Sequence, residues 1–146
     1  MRITAMTILK LNKETRLVGS ASIVLDDMFV VNFIKILKVD GGFMLGMPSV
    51  SKKSGGFQDV AHPINPETRN ALEHLVFDAY HFCEVNNYDG AQFLLESNSH
   101  EDLLGQDFSR FVVKEHWKLE DGQAKKEKKN YSVKKKNADF YDWLNS

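Results

Sequence analysis

The sequence predicts an α+β fold: an antiparallel sheet of about five strands, one of them long, followed by one main helix and a C-terminal extension. Three observations carry this. Residues 2–47 fall into short alternating or β-branched apolar runs separated by turn signals. Residues 66–84 show helical spacing behind a strong start signal. Beyond residue 84 the chain changes character and ends in a lysine-rich stretch with an aromatic terminus.

The first predicted strand is RITAMTILKL, residues 2–11, with Ile3, Ala5, Thr7, Leu9 and Leu11 on one face. The second is RLVGSASIVL, residues 16–25, with Leu17, Gly19, Ala21, Ile23 and Leu25 on one face. Residues 12–15 make the turn between them, and one more apolar face per strand implies a sheet covered on one side. Met28–Val39, MFVVNFIKILKV, is apolar on both faces from Phe29 to Ile34 and exceeds a usual strand length. Such a strand either bends or reaches a partner chain. Asp40-Gly41-Gly42 turns it back into FMLGM, and Pro48 ends that strand. After a loop holding Lys52 and Lys53, GFQDVA reads as a short strand.

Asn65 is a good N-cap and Pro66 suits the first helical position. Leu72, Leu75, Val76, Ala79 and Cys83 then recur on one helix face, and Asn86-Asn87 stop the helix. Residues 85–120 have enough apolar content to pack, with Gly105 as a break; RFVVKEHWKL fits either a strand or a helical turn. Residues 121–136 are poor in apolar groups and are expected to be mobile. In ADFYDWL, Phe140, Trp143 and Leu144 stand at i, i+3, i+4, able to dock on a surface. Three units follow: residues 1–84, residues 85–120 and a tail, 121–146.

At 146 residues with 42% hydrophobic content, the chain can bury a core. Its net charge of −1 hides an uneven distribution. Residues 1–120 hold 12 of the 19 Lys and Arg and 16 of the 20 Asp and Glu, net −4. Residues 121–136 are net +5 and residues 137–146 net −2. The single Cys83 excludes an internal disulfide and suits a reducing cytosol. No run approaches the ~20 apolar residues of a membrane helix. A cytoplasmic protein with no membrane partner is expected.

No catalytic constellation is present. His62 lacks a Ser, Cys or carboxylate at a telling spacing and reads as a structural group at the helix entrance. His74, Asp78 and His81 share a helix face, but such a set is more often a solvated face than a metal site. Neither a metal nor a cofactor is predicted. Cys83 falls on the apolar side and reads as a small buried residue.

Residues 3–81 resemble the SpoVG family of stage V sporulation and septation regulators. The matching pieces are ASIVLDDMFVVNFIKI, GGFMLGMPS and, most specifically, FQDVAHPINPETR. The resemblance implies a dimeric α+β protein that binds DNA or RNA as a regulator without enzymatic activity. It places binding in the loop after Met-Pro-Ser and at the helix start, here Lys52, Lys53, Gln58, Thr68 and Arg69. The chain departs from the family pattern in three ways. Gln58 stands where a basic residue is usual, Asn70 and Ala71 replace basic residues after Arg69, and residues beyond the helix replace a short acidic tail. The tail lysines Lys125, Lys126, Lys128, Lys129, Lys134, Lys135 and Lys136 add a second, salt-sensitive phosphate-binding candidate.

The expected function is therefore a homodimeric, non-enzymatic nucleic-acid-binding regulator. A different class of reading makes residues 1–84 a dimeric scaffold whose extension, 85–146, binds a protein partner. Such a protein would suit a mobile-element-encoded inhibitor or adaptor.

Overall fold

The computed structural model describes residues 1–11, 15–120 and 123–125. Among them, seven strands form one antiparallel sheet in the order β4-β3-β2-β1-β7-β8-β9. These are β1 (Ile3–Lys10), β2 (Leu17–Leu25), β3 (Phe29–Val39), β4 (Gly42–Gly46), β7 (Gly90–Leu95), β8 (Phe111–Glu120) and β9 (Gln123–Lys125). A separate hairpin is made by β5 (Ser49–Ser51) and β6 (Phe57–Asp59). Helix α1 (Pro66–Val85) covers one sheet face.

The α+β class holds, with one helix after an antiparallel sheet. The strand number is larger than about five, for two reasons. Pro48 ends β4, but Ser49–Ser51 resumes pairing with β6. The ambiguous residues 88–119 supply β7 and β8, joined through two 3₁₀ turns at Leu103–Gly105 and Phe108–Arg110. β7 pairs with the open edge of β1, so the extension continues the same sheet. Within 121–136, expected to be mobile, Gln123–Lys125 forms β9 against β8. The rest of the tail, including the lysines from Lys126 onward and the aromatic terminus, lies outside the described residues.

Two bulges decide which side chains reach the core. The first lies between Ile3 and Ala5. It breaks the predicted one-face set: Ile3, Met6 and Ile8 are buried under α1, while Ala5, Thr7 and Leu9 belong to the other face. Simple alternation could not show this, because an added residue reverses every later side chain. The second lies in β3, where Asn32 and Phe33 together oppose Ser22. The long strand therefore bends, and both Val31 and Ile34 serve the core side.

Helix α1 starts and stops as its sequence dictates. The Asn65 Oδ1 accepts from the Thr68 N–H at 2.8 Å, with Pro66 in the first turn. At the far end Asn87 adopts φ 58°, and the N–H groups of Asn87 and Tyr88 donate to the Glu84 and Cys83 carbonyls. Leu72, Leu75, Val76, Ala79 and Cys83 are all buried. Burying a side chain the size of Leu75 contributes about 1.5–3 kcal/mol.

Candidate nucleic-acid interface

The segment between β4 and α1 leaves the body of the molecule. Every residue from Val50 to Val60 is exposed. At its tip Lys52 and Lys53 precede a tight turn, closed by Lys52 N–H to Gly56 O at 3.0 Å and Gly55 N–H to Lys52 O at 3.1 Å. Gly55 and Gly56 have φ of 98° and 77°, so only glycine fits without strain and the turn cannot be filled with bulkier residues. Gln58 lies on β6 opposite Val50, exposed. The arm is anchored at its base by Val60 N–H to Pro48 O at 2.8 Å.

The helix-start candidates behave differently. The Arg69 guanidinium is partly buried and donates to the Leu45 carbonyl at 2.9 Å and to Glu73 at 3.2 Å. It ties the first turn of α1 to the end of β4, and Glu73 offsets its charge. Thr68 is half-buried and lines an apolar pocket of about 240 Å³ with Met1, Ile3, Leu25, Met47 and Leu72. Lys52, Lys53 and Gln58 thus share the exposed arm, whereas Thr68 and Arg69 sit inward at its root. Of the lysine tail only Lys125 falls among the described residues, in β9 at the sheet edge.

His62 places Nδ1 3.0 Å from the Pro63 carbonyl, which makes that nitrogen the donor and steadies the entrance to α1. His74 and Asp78 are exposed, and His81 lies 3.1 Å from Glu84 and edge-on to Phe43. Among the described residues no group of three His, Cys, Asp or Glu is placed to hold a metal ion. Burial pushes the Cys83 thiol up to about 12, so it stays protonated at neutral pH, as suits a small buried residue. No helix among these residues is long and apolar enough to cross a membrane.

The SpoVG family model matches residues 1–82, more than half of the chain. The chain belongs to the SpoVG family. A protein described as septation protein SpoVG from Phytoplasma australiense is 45% identical over 80 residues, covering 55% of this chain and 83% of its own. Its counterpart from Caldanaerobacter subterraneus subsp. tengcongensis is 39% identical over 87 residues, covering 60% and 96%. That from Clostridium novyi is 34% identical over 99 residues, covering 66% and 99%. The exposed arm and the start of α1 both fall inside the SpoVG match, while β7 to β9 lie beyond it.

One exposed residue on the SpoVG part escaped the sequence reading. Phe33 is 70% exposed at φ 62°, although it lies in an apolar run. Phe is not a left-handed residue type, so nothing local announces this conformation.

Proposed function

We propose that this protein is a non-enzymatic nucleic-acid-binding regulator that acts as a dimer. The exposed β5–β6 arm with Lys52 and Lys53 at its tip is the observation that carries the reading. Two lysine stems on a tight glycine turn can follow a phosphate backbone, while Gln58 offers an amide to sugar, phosphate or base. Arg69 and Thr68 support the arm from its root, since the Arg69 guanidinium already serves Leu45 and Glu73. The tail lysines, Lys125 to Lys136, add non-specific affinity and a faster encounter. The relatives' description as septation proteins supports cell division as the process regulated.

Dimerisation has its own support. A two-stranded hairpin is marginal in water by itself. Here Val50, Phe57 and Val60 on the arm and Met28 and Phe29 at the start of β3 are all more than half exposed. A second copy covering this apolar group would stabilise the arm and set two lysine tips side by side.

Fluorescence anisotropy with labelled single-stranded RNA and duplex DNA across a salt series tests the binding. Lys52→Ala/Lys53→Ala should weaken it and lower the salt slope by about 0.7–0.9 per lysine. Removing residues 126–146 should lower the slope further. If the full chain binds neither nucleic acid at physiological salt, the reading fails, and a protein partner of the extension takes its place.

A further inference from the structure

Helix α1 covers one face of the sheet; the other face carries a feature that the binding arm does not use. Thr7 and Leu9 of β1, Ser20 and Ser22 of β2, and Asn32 and Phe33 of β3 border a shallow pocket of about 200 Å³. Phe33 forms its wall because of the β3 bulge. In a regular strand Val31 and Phe33 would share the core side. The extra residue lets Val31 and Ile34 both serve the core and leaves Asn32 and Phe33 together on the far side. A large aromatic ring is thus kept 70% exposed, in a backbone conformation that its residue type disfavours. Among the described residues the other non-glycine positions with positive φ are Asp26, Asp27 and Asn87, types at ease there. Strain of this kind gathers at functional sites, and here it presents a ring to solvent.

The chemistry of the pocket is specific. One wall is a π-face and one is aliphatic. Between them stand hydroxyl and amide groups that both donate and accept, as the edge of a nucleobase requires. Lys35 stands on the same face, paired with Gly46 in the register and with its Cβ 3.4 Å from where a Gly46 side chain would begin. It supplies a cation for the adjoining phosphate. Gly46 is followed directly by Met47, Pro48 and the arm, so Phe33 in the pocket wall, Lys35 and the Lys52-Lys53 tip follow one another along β3, β4 and the arm. We propose that this pocket takes one unpaired base of a single-stranded nucleic acid, stacked on Phe33, with its backbone leading past Lys35 toward the arm. This inference rests on the nucleic-acid reading and assigns it a preference for single strands.

The test uses the full chain, a labelled oligouridylate of about 12 nucleotides and a DNA duplex of matching length. Phe33→Asn removes the ring and suits φ 62°, so the fold should hold and the melting temperature should stay level or rise. Affinity for the single strand should fall about tenfold, as expected for the loss of one stacked base. The salt slope and the duplex affinity should not move, because no charge is lost. Phe33→Trp should keep the affinity, with fluorescence quenched on binding. An unchanged single-strand affinity in Phe33→Asn, or an equal loss on duplex, overturns the pocket. So does a change of mass in sedimentation with unchanged affinity per protomer, which would make Phe33 a subunit contact. Lys52→Ala/Lys53→Ala run in parallel separates the two failures. If it weakens binding while Phe33→Asn is silent, only the pocket falls; if the full chain binds nothing, both readings fall.

Discussion

The part of the chain that matches the family and the part that follows it are built on one sheet but solve different problems. The matched part, residues 1–82, spends its chain outward: an arm exposed along its whole length and a bulge that keeps Phe33 in solvent. The extension spends its chain inward. β7 pairs with β1, and the Gln106 side-chain amide satisfies both the N–H and the carbonyl of Ile3 at 2.8 Å. Phe93 and Phe108 pack edge-on against each other at 5.2 Å and against Phe82 at 5.7 and 5.8 Å. Helix α1 faces both. Its Phe77 and Tyr80 meet Phe43 of β4 on the matched side, while Phe82 meets the extension. The relatives named above are covered over 83–99% of their length; the alignment with the Clostridium novyi protein, 99 residues long, reaches past the family match into the start of the extension, while β8 and β9 lie beyond the family match. Additional sequence need not be an appendage; it can complete a core by pairing with a sheet edge.

The sharpest way to break this comparison is Phe93→Ala. Phe93 is 1% exposed and central to the extension's aromatic group. Its loss should cost about 3–5 kcal/mol, read as a lower urea midpoint at an unchanged m-value. The transition should stay single, with β3 and β8 melting together. Two transitions, with the matched part surviving, would make the extension a separate unit.

How much of this was legible depends on the kind of signal. Asn65-Pro66 and Asn86-Asn87 fixed α1 to within a residue, because caps act through adjacent backbone groups. β2 alternates from Gly19 to Leu25 and that part of its core face was readable, whereas a register shift before Gly19 brings Val18 rather than Leu17 against the core. β1 was misread because Thr4 is a bulge residue, and a bulge is set by the neighbouring strand rather than by local sequence. β7 and β8 stayed ambiguous for a related reason: GAQFLL is buried from Gly90 to Phe93, Gln92 included, and shows no clean alternation of apolar and polar residues. Of the candidate interface, the exposure of Lys52 and Lys53 follows from two glycines in a turn. The inward engagement of Arg69 does not, since its partner is a backbone carbonyl 24 positions away.

A second expected effect is alkaline destabilisation where the two parts meet. Burial, reinforced by the nearby Glu84, pushes the Tyr80 phenol up to about 12, and burial pushes Cys83 to a similar value. Both are neutral in the fold, while the unfolded chain ionises near 9 for the thiol and 10 for the phenol. Stability is therefore complete below pH 9 and falls as pH rises from 9 toward 12. Each group contributes about 1.4 kcal/mol per pH unit above its unfolded value. Urea midpoints between pH 8 and 11 measure this. Cys83→Ala should lower stability at every pH yet remove the part of the slope that begins at pH 9; an unchanged slope would place the thiol in contact with water.

The smallest effect sharpens the comparison most. Asn65 lies in the matched part, far along the chain from β8. Its Oδ1 accepts from the Thr68 N–H at 2.8 Å, and Asn65→Ala leaves that donor to water. The cost should be about 1 kcal/mol, with Asn65→Gly costing only a few tenths. If α1 joins both parts into one cooperative unit, amide exchange in β3 and β8 should accelerate by the same factor, about fivefold. A response in β3 alone would mean that the extension's strands open without the helix. The shared sheet of β1 and β7, and the Phe82 contacts, argue for the equal response, because β8 is held by β7, and β7 in turn by β1 and α1.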